Sequence, residues 1–266
     1  MTLAFGLVVP RAGSAVTKNV DAFLAWMAEN GGPRLTRRES ASYETLADDV
    51  RRGVVDVAWL PPIVHVRLGA SVVALGSVLR GGRAEYEAAL VVPRASRLRT
   101  IDALRGARAG WVDRWSAAGF VLPRVKLALL GVDPRNLFRT EAFFGSHRAA
   151  LEALFDGAID VTGTYARAGE DGEIREGGWS EIPGAEVRII ATFGAVPPDV
   201  LAVRSELSAD TRESLLQALR AAAKAERPRT LLREVFGGDE LREGEASGYP
   251  ALASALEMAH KRGLFD

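Results

Sequence analysis

Cysteine is absent from all 266 residues, which removes disulfides, thiolate metal sites and cysteine nucleophiles together. Neither sign of charge prevails. Lys+Arg and Asp+Glu stand at 34 each and no basic stripe runs along the chain, so bulk electrostatics support neither nucleic acid nor an anionic membrane as partner. No apolar run approaches the roughly 18 residues of a membrane helix, and no direct membrane insertion is expected. There is no P-loop and no G-x-G-x-x-G following a strand. His65 and His260 have no companions at metal-ligand spacing. Neither a metal nor a cofactor is expected. Met1 to Pro10 carries no early Lys or Arg and reads as a strand rather than a secretory leader. As written, the chain is expected to be cytoplasmic, or periplasmic if a leader has been removed.

What is present is a chain with 48% hydrophobic residues, enough to bury a core in one large domain or two ordinary ones. Strand Leu3 to Val9 is followed by a helix with Val16, Val20, Phe23, Leu24 and Met27 on one stripe. A strand near Leu35 to Arg38, a helix from Tyr43 to Arg52 closed by Gly53, and a buried strand Val54 to Leu60 stopped by Pro61 and Pro62 come next. A short helix (Ile63 to Leu68) and a strand (Val72 to Leu79) complete a β-α-β-α-β-α-β run. That alternation predicts an α/β fold with a mostly parallel sheet covered on both faces.

Tyr86 to Val92 reads as a crossing strand into a second lobe, where the pattern restarts. Strands are expected at Ala107 to Val112, Leu137 to Ala142 and Ile159 to Thr164, with helices after Ser116 and over Ser146 to Phe155. Ala168 to Trp179 is expected as a surface loop. Val187 to Thr192 and Val200 to Val203 make the return crossing. Three helices follow: one capped by Ser208, one starting at Pro228 and ending at Gly237, one from Tyr249 to Gly263. The expected organisation is a discontinuous lobe I (1–90 and 193–266), an inserted lobe II (91–192), and a cleft between them.

The stretch that organises the chemistry is Gly106 to Gly131. A strand leads to the turn Asp113, Arg114, Trp115, and Ser116 then opens a helix as its N-cap. Ala117, Ala118 and Gly119 leave the first backbone N–H groups unobstructed, and these donors suit an anion. Trp115 offers a flat wall. Pro123 lies inside the apolar pattern, so a separate first turn with the helix proper starting near Pro123 is the alternative.

Three further motifs carry a family resemblance. Gly53 to Pro62 is similar to the G-x-x-D strand and turn of type II solute-binding proteins. Tyr86 to Pro93, Ser96 and Ile101 to Gly106 look like their crossover segment. Asp113 to Pro123, then Gly145–Ser146–His147, then Gly157 to Val161, resembles the phosphonate-binding branch. The resemblance implies a two-lobed, Venus-flytrap α/β fold and a capture component of an ABC importer. It would close its lobes on a small anionic ligand and hand it to an ABC permease. Where that branch has hydroxyl residues, this chain has Ala117 and Ala118, which keeps the backbone donors and removes two side-chain donors. The implied ligand-binding set is Arg11, Tyr43, Pro61, Arg114, Trp115, Ser116, Ala117, Ala118, His147 and Tyr165, with no catalytic residue. His147 is expected as a cation for the ligand, and Arg11 and Arg114 as bidentate forks. Asp56 and Asp160 are expected to fix strand–turn geometry instead. Two rival readings keep the fold: a cytoplasmic ligand sensor, and an enzyme in which Asp113 or His147 serves as acid or base.

Overall fold

The computed structural model describes residues 2–8, 14–80, 82, 85–169, 171–238 and 240–265. Its elements run β1 (Thr2–Leu7), α1 (Ser14–Glu29), β2 (Arg34–Glu39), α2 (Tyr43–Arg51), β3 (Val57–Leu60), α3 (Pro62–Leu68), β4 (Val72–Leu79), β5 (Tyr86–Pro93) and β6 (Arg108–Trp111). A π-helical turn (Ala117–Val121) leads directly into α4 (Leu122–Leu129), followed by α5 (Pro134–Leu137), β7 (Thr140–Phe143), α6 (His147–Phe155), β8 (Val161–Ala168), β9 (Ile174–Gly177) and β10 (Val187–Val196). The chain finishes with β11 (Val200–Arg204), α7 (Ala209–Lys224), α8 (Glu226–Phe236), β12 (Glu240–Glu243) and α9 (Tyr249–Lys261).

Two compact units result: Met1–Glu85 with Pro197–Tyr249, and Tyr86–Val196 with Pro250–Asp266. In the first, the sheet order is β12-β4-β11-β3-β1-β2. The apolar stripe of α1 lies on it. Val20, Phe23 and Met27 are buried with Leu3, Phe5, Leu215 and Leu219 in one core, and Phe236 meets Phe5 and Phe23 edge-on while stacking on Trp59 at 4.2 Å. In the second, the order is β10-β5-β8-β6-β7, with β9 on β8. Its core gathers Ala89, Val91, Leu151, Leu154, Ile159 and Trp179.

The sheets are mixed. β1 pairs parallel with β2 and β3, and β6 with β7 and β8, whereas β11 enters antiparallel between β3 and β4 and β5 runs antiparallel between β8 and β10. β12 is likewise antiparallel to β4, and β9 to β8.

Several expected elements differ. The stretch 137–142 splits into the end of α5 and β7, because Asp133 caps a turn begun by Pro134. The expected loop 168–179 holds β9, a short polar strand paired to β8. β12 was not expected either, since Glu240–Glu243 has no alternating apolar pattern; it pairs with β4. The tail also moves. Residues 250–266 belong with the second unit rather than with lobe I, because Arg124 and Arg114 donate to the Leu264 and Phe265 carbonyls and Phe265 packs on Phe120.

The two units repeat one wiring. Gly6 opposes Arg38 and Gly110 opposes Ala142; Phe5 opposes Val57 and Ala109 opposes Val161. Every second-unit member lies 104 positions beyond its counterpart. The same offset carries Asp56 onto Asp160. Each carboxylate accepts the backbone N–H of the neighbouring strand 52 residues earlier, Ala4 at 2.9 Å and Arg108 at 2.8 Å. A guanidinium holds the other side of each, Arg204 on Asp56 and Arg108 on Asp160. Both aspartates therefore fasten strand to strand.

Candidate functional site

In the second unit β6 is flanked by β8 on one side and β7 on the other, all parallel. The connection out of β6 goes to β7 and the next returns to β8, so the chain changes sides at the carboxyl end of β6. In open α/β sheets that switch point is where ligands are held. Both connections begin there with a capped helical start.

The first start is fixed by a chain of local bonds. Asp113 Oδ1 accepts the Trp115 N–H at 2.7 Å and the Asp113 carbonyl accepts Ser116 N–H at 3.0 Å, an Asx turn. Ser116 Oγ accepts Gly119 N–H at 3.1 Å, and the Ser116 carbonyl accepts Val121 N–H, five residues on. This wide turn answers the question left by Pro123: a first turn opens at Ser116, and Pro123 occupies the first turn of α4. Gly119 has no alternative, because a Cβ there falls 2.4 Å from Val112 Cγ2 and 2.7 Å from Ser116 Oγ. Across from it, a Cβ on Gly163 falls 3.0 Å from the Gly119 carbonyl and 3.1 Å from that of Ala118. Turn and strand β8 touch backbone to backbone.

The second start is capped by Ser146, whose Oγ accepts Ala149 N–H at 3.1 Å. Val112 ties the two starts together, donating to the Gly119 carbonyl and accepting Gly145 N–H at 2.7 Å. His147 follows, with Nδ1 3.1 Å from the buried hydroxyl of Thr164 and its ring edge-on to Tyr165 at 5.1 Å. Ser116, Ala117 and Ala118 are buried, at 5%, 3% and 2% exposure. The amide N–H groups of Ala117 and Ala118 have no hydrogen-bond acceptor among the described residues. The first N–H groups of a helix have no partner within it, and here two adjacent ones, in buried residues, sit at its positive end.

Not every expected role survives. His147 is not the expected cation: burial pushes its imidazolium down to about 4, so the ring is neutral near pH 7. Its folded-state value lies below the ordinary histidine value. The stability this gives is complete above pH 6.5 and is lost as pH falls from 6.5 through 4. For a half-buried ring the loss is about 1–3 kcal/mol. Urea unfolding at pH 7.5 and pH 4.5 is expected to show that difference in the wild type and a smaller one in His147→Asn; equal differences would acquit the residue.

Arg114 is exposed and engaged elsewhere, donating to the Phe265 carbonyl at 2.9 Å and lying 5.0 Å over the Phe143 ring. Arg11 lies outside the described residues. Tyr43 and Pro61 belong to the first unit, at the start of α2 and just past β3. The 104-residue offset places Tyr43 on His147 and Pro61 on Tyr165, and Ser42 caps α2 as Ser146 caps α6. Thr164 and Arg167 did not emerge from the sequence. Nor did Asp199, whose carboxylate accepts the Trp59 indole N–H at 3.1 Å and is pushed up by burial. A groove of about 490 Å³ in the second unit lies at the other ends of β6 and β8, against Gly106, Gly157 and Asp160; the helix starts are remote from it along the strands.

Two wound α/β units, the second with two capped helix starts at its switch point, have the architecture of the type II periplasmic substrate-binding class. The chain belongs to the family of periplasmic substrate-binding proteins of ABC phosphonate transporters, whose model matches residues 5–249. No curated protein sequence matches it. Among solved structures it is similar to the phosphonate-transporter binding protein PA3383 of Pseudomonas aeruginosa (17% identity, TM-score 0.81, 98% of this chain and 87% of that one). It is also similar to PhnD1 of Prochlorococcus marinus in complex with methylphosphonate (16%, 0.78, 98% and 98%). XAC2383 of Xanthomonas citri, solved with ATP, is similar too (19%, 0.77, 98% and 98%). At these identities the likeness is one of fold. No described helix is long and apolar enough to cross a membrane.

Proposed function

We propose that this chain captures a small oxyanion of the phosphonate type on the Ser116–Gly119 turn and delivers it to an ABC permease from the periplasmic side. The observation that carries the reading is the pair of adjacent amides at the buried residues Ala117 and Ala118, which find no acceptor among the described residues. Two adjacent N–H groups in a turn locked by Gly119 and Gly163 present fixed donors to an oxyanion without reorganisation. Trp115 and Tyr165 supply apolar walls for whatever the oxyanion is attached to. His147 Nε2 contributes a neutral donor when Nδ1 accepts from Thr164. An anion beside that ring raises its proton affinity, so capture strengthens as pH falls toward 5.

Calorimetric titration with methylphosphonate tests the reading. The wild type is expected to bind, and Ser116→Ala with His147→Ala to weaken binding by about 2–5 kcal/mol, the sum of two charge-assisted contacts. Unchanged affinity in that double variant would remove both residues from the site.

A further inference from the structure

Strand β8 carries Gly163, Tyr165 and Arg167 at alternate positions, hence on one face. Gly163 presses on the Ala118 and Gly119 carbonyls. Tyr165 is edge-on to His147, and its hydroxyl donates to Glu181. Arg167 does not extend away from this group. Its Cζ lies 5.1 Å from the Tyr165 ring centroid, over the ring, so the side chain doubles back toward the capped helix starts. A planar guanidinium stacked on an aromatic face is held in one orientation.

Beyond that ring, the guanidinium has no hydrogen-bond or ion-pair partner among the described residues. Its Nε is buried and makes no hydrogen bond, and no carboxylate among the described residues forms an ion pair with it. Glu176 stands opposite it in register on β9, and Glu181 takes the neighbouring tyrosine hydroxyl, yet neither closes on Arg167. Most other buried or half-buried cations of this unit are engaged: Arg108 on Asp160, Arg124 on Glu141, Arg188 on the Ser96 carbonyl. Leaving a partly buried charge unmatched is costly, and an anion brought by a ligand offsets that cost.

We propose that Arg167 binds a second anionic group of the ligand, so that the chain selects small oxyanions carrying a carboxylate or second oxyanion on a short carbon chain. This rests on the oxyanion reading of the Ser116–Gly119 turn, which takes the first group. The two cradles lie along one strand face. Two residues of strand span about 7 Å, too far for one compact headgroup to satisfy both.

The experiment compares propylphosphonate with 3-phosphonopropionate, which share headgroup and carbon count and differ in the terminal carboxylate. Calorimetry on the full chain is expected to give about tenfold or greater preference for 3-phosphonopropionate, the effect of one charge-assisted contact. Arg167→Gln is expected to erase that preference, weakening 3-phosphonopropionate more than propylphosphonate by about tenfold. Equal affinities in the wild type, or a preference that persists in the variant, would overturn the assignment. Binding of neither phosphonate would overturn the oxyanion reading itself, a separate failure. The wild-type comparison stands even if the variant folds poorly.

Discussion

Glu141→Ala is expected to cost the second unit about 3–5 kcal/mol, more than any other single truncation among the described ion pairs. Glu141 accepts from Arg124 and from the Trp111 indole N–H at 2.6 Å. The Arg124 side chain is only 3% exposed, and its Nε is spent on the Leu264 carbonyl at 2.7 Å. Removing the carboxylate strands a guanidinium in the interior and leaves the indole donor without its acceptor. Arg124→Met, which keeps an apolar stem and replaces the guanidinium lying 5.2 Å over the Phe120 ring with an uncharged thioether, is expected to cost less. Urea unfolding followed by tryptophan fluorescence measures both. A cost below about 1 kcal/mol for Glu141→Ala would mean that water reaches Arg124.

Gly119→Ala is expected to weaken anion capture at least about tenfold and to destabilise the unit by about 1–3 kcal/mol. The new methyl meets Val112 Cγ2 at 2.4 Å and Ser116 Oγ at 2.7 Å, and neither atom is the far end of a flexible side chain. Either the turn opens, losing the Ser116 cap, or Val112 shifts and drags the Gly145 contact with it. Overpacking of this kind costs about 1–3 kcal/mol. Displacing the amides of Ala117 and Ala118 by even a fraction of an ångström from a bound oxyanion is expected to weaken methylphosphonate binding by at least about tenfold. A variant that melts lower yet binds unchanged would show that the oxyanion sits elsewhere.

How far these features were legible in the sequence depends on their range. The Asp113–Ser116–Gly119 turn is built from contacts within seven residues, so its cap and its glycine could be read directly. The G-x-x-D strands were equally local signals, and both aspartates took the structural role expected of them. The charge of His147 was not legible, because desolvation depends on what packs around the ring. Arg167 was invisible for a similar reason: in a chain with 34 basic residues, only three dimensions show which half-buried guanidinium makes neither an ion pair nor a hydrogen bond among the described residues. β9 and β12 were missed since polar edge strands borrow their order from the strand they pair with. The α9 pattern announced a helix, but nothing in its periodicity said which unit it would join. Arg124 and Arg114 decide that, from more than a hundred residues away.

The repeated strand register gives this molecule an internal reference. Asp56→Asn and Asp160→Asn delete the same clasp in two copies of one module, but the copies differ in where their cation originates. Asp56 receives it from Arg204, 148 residues downstream, and Asp160 from Arg108, within the very strand it fastens. The difference between the two costs isolates what a long-range staple contributes over a short-range one, with length, spacing and neighbouring backbone already matched by the protein itself.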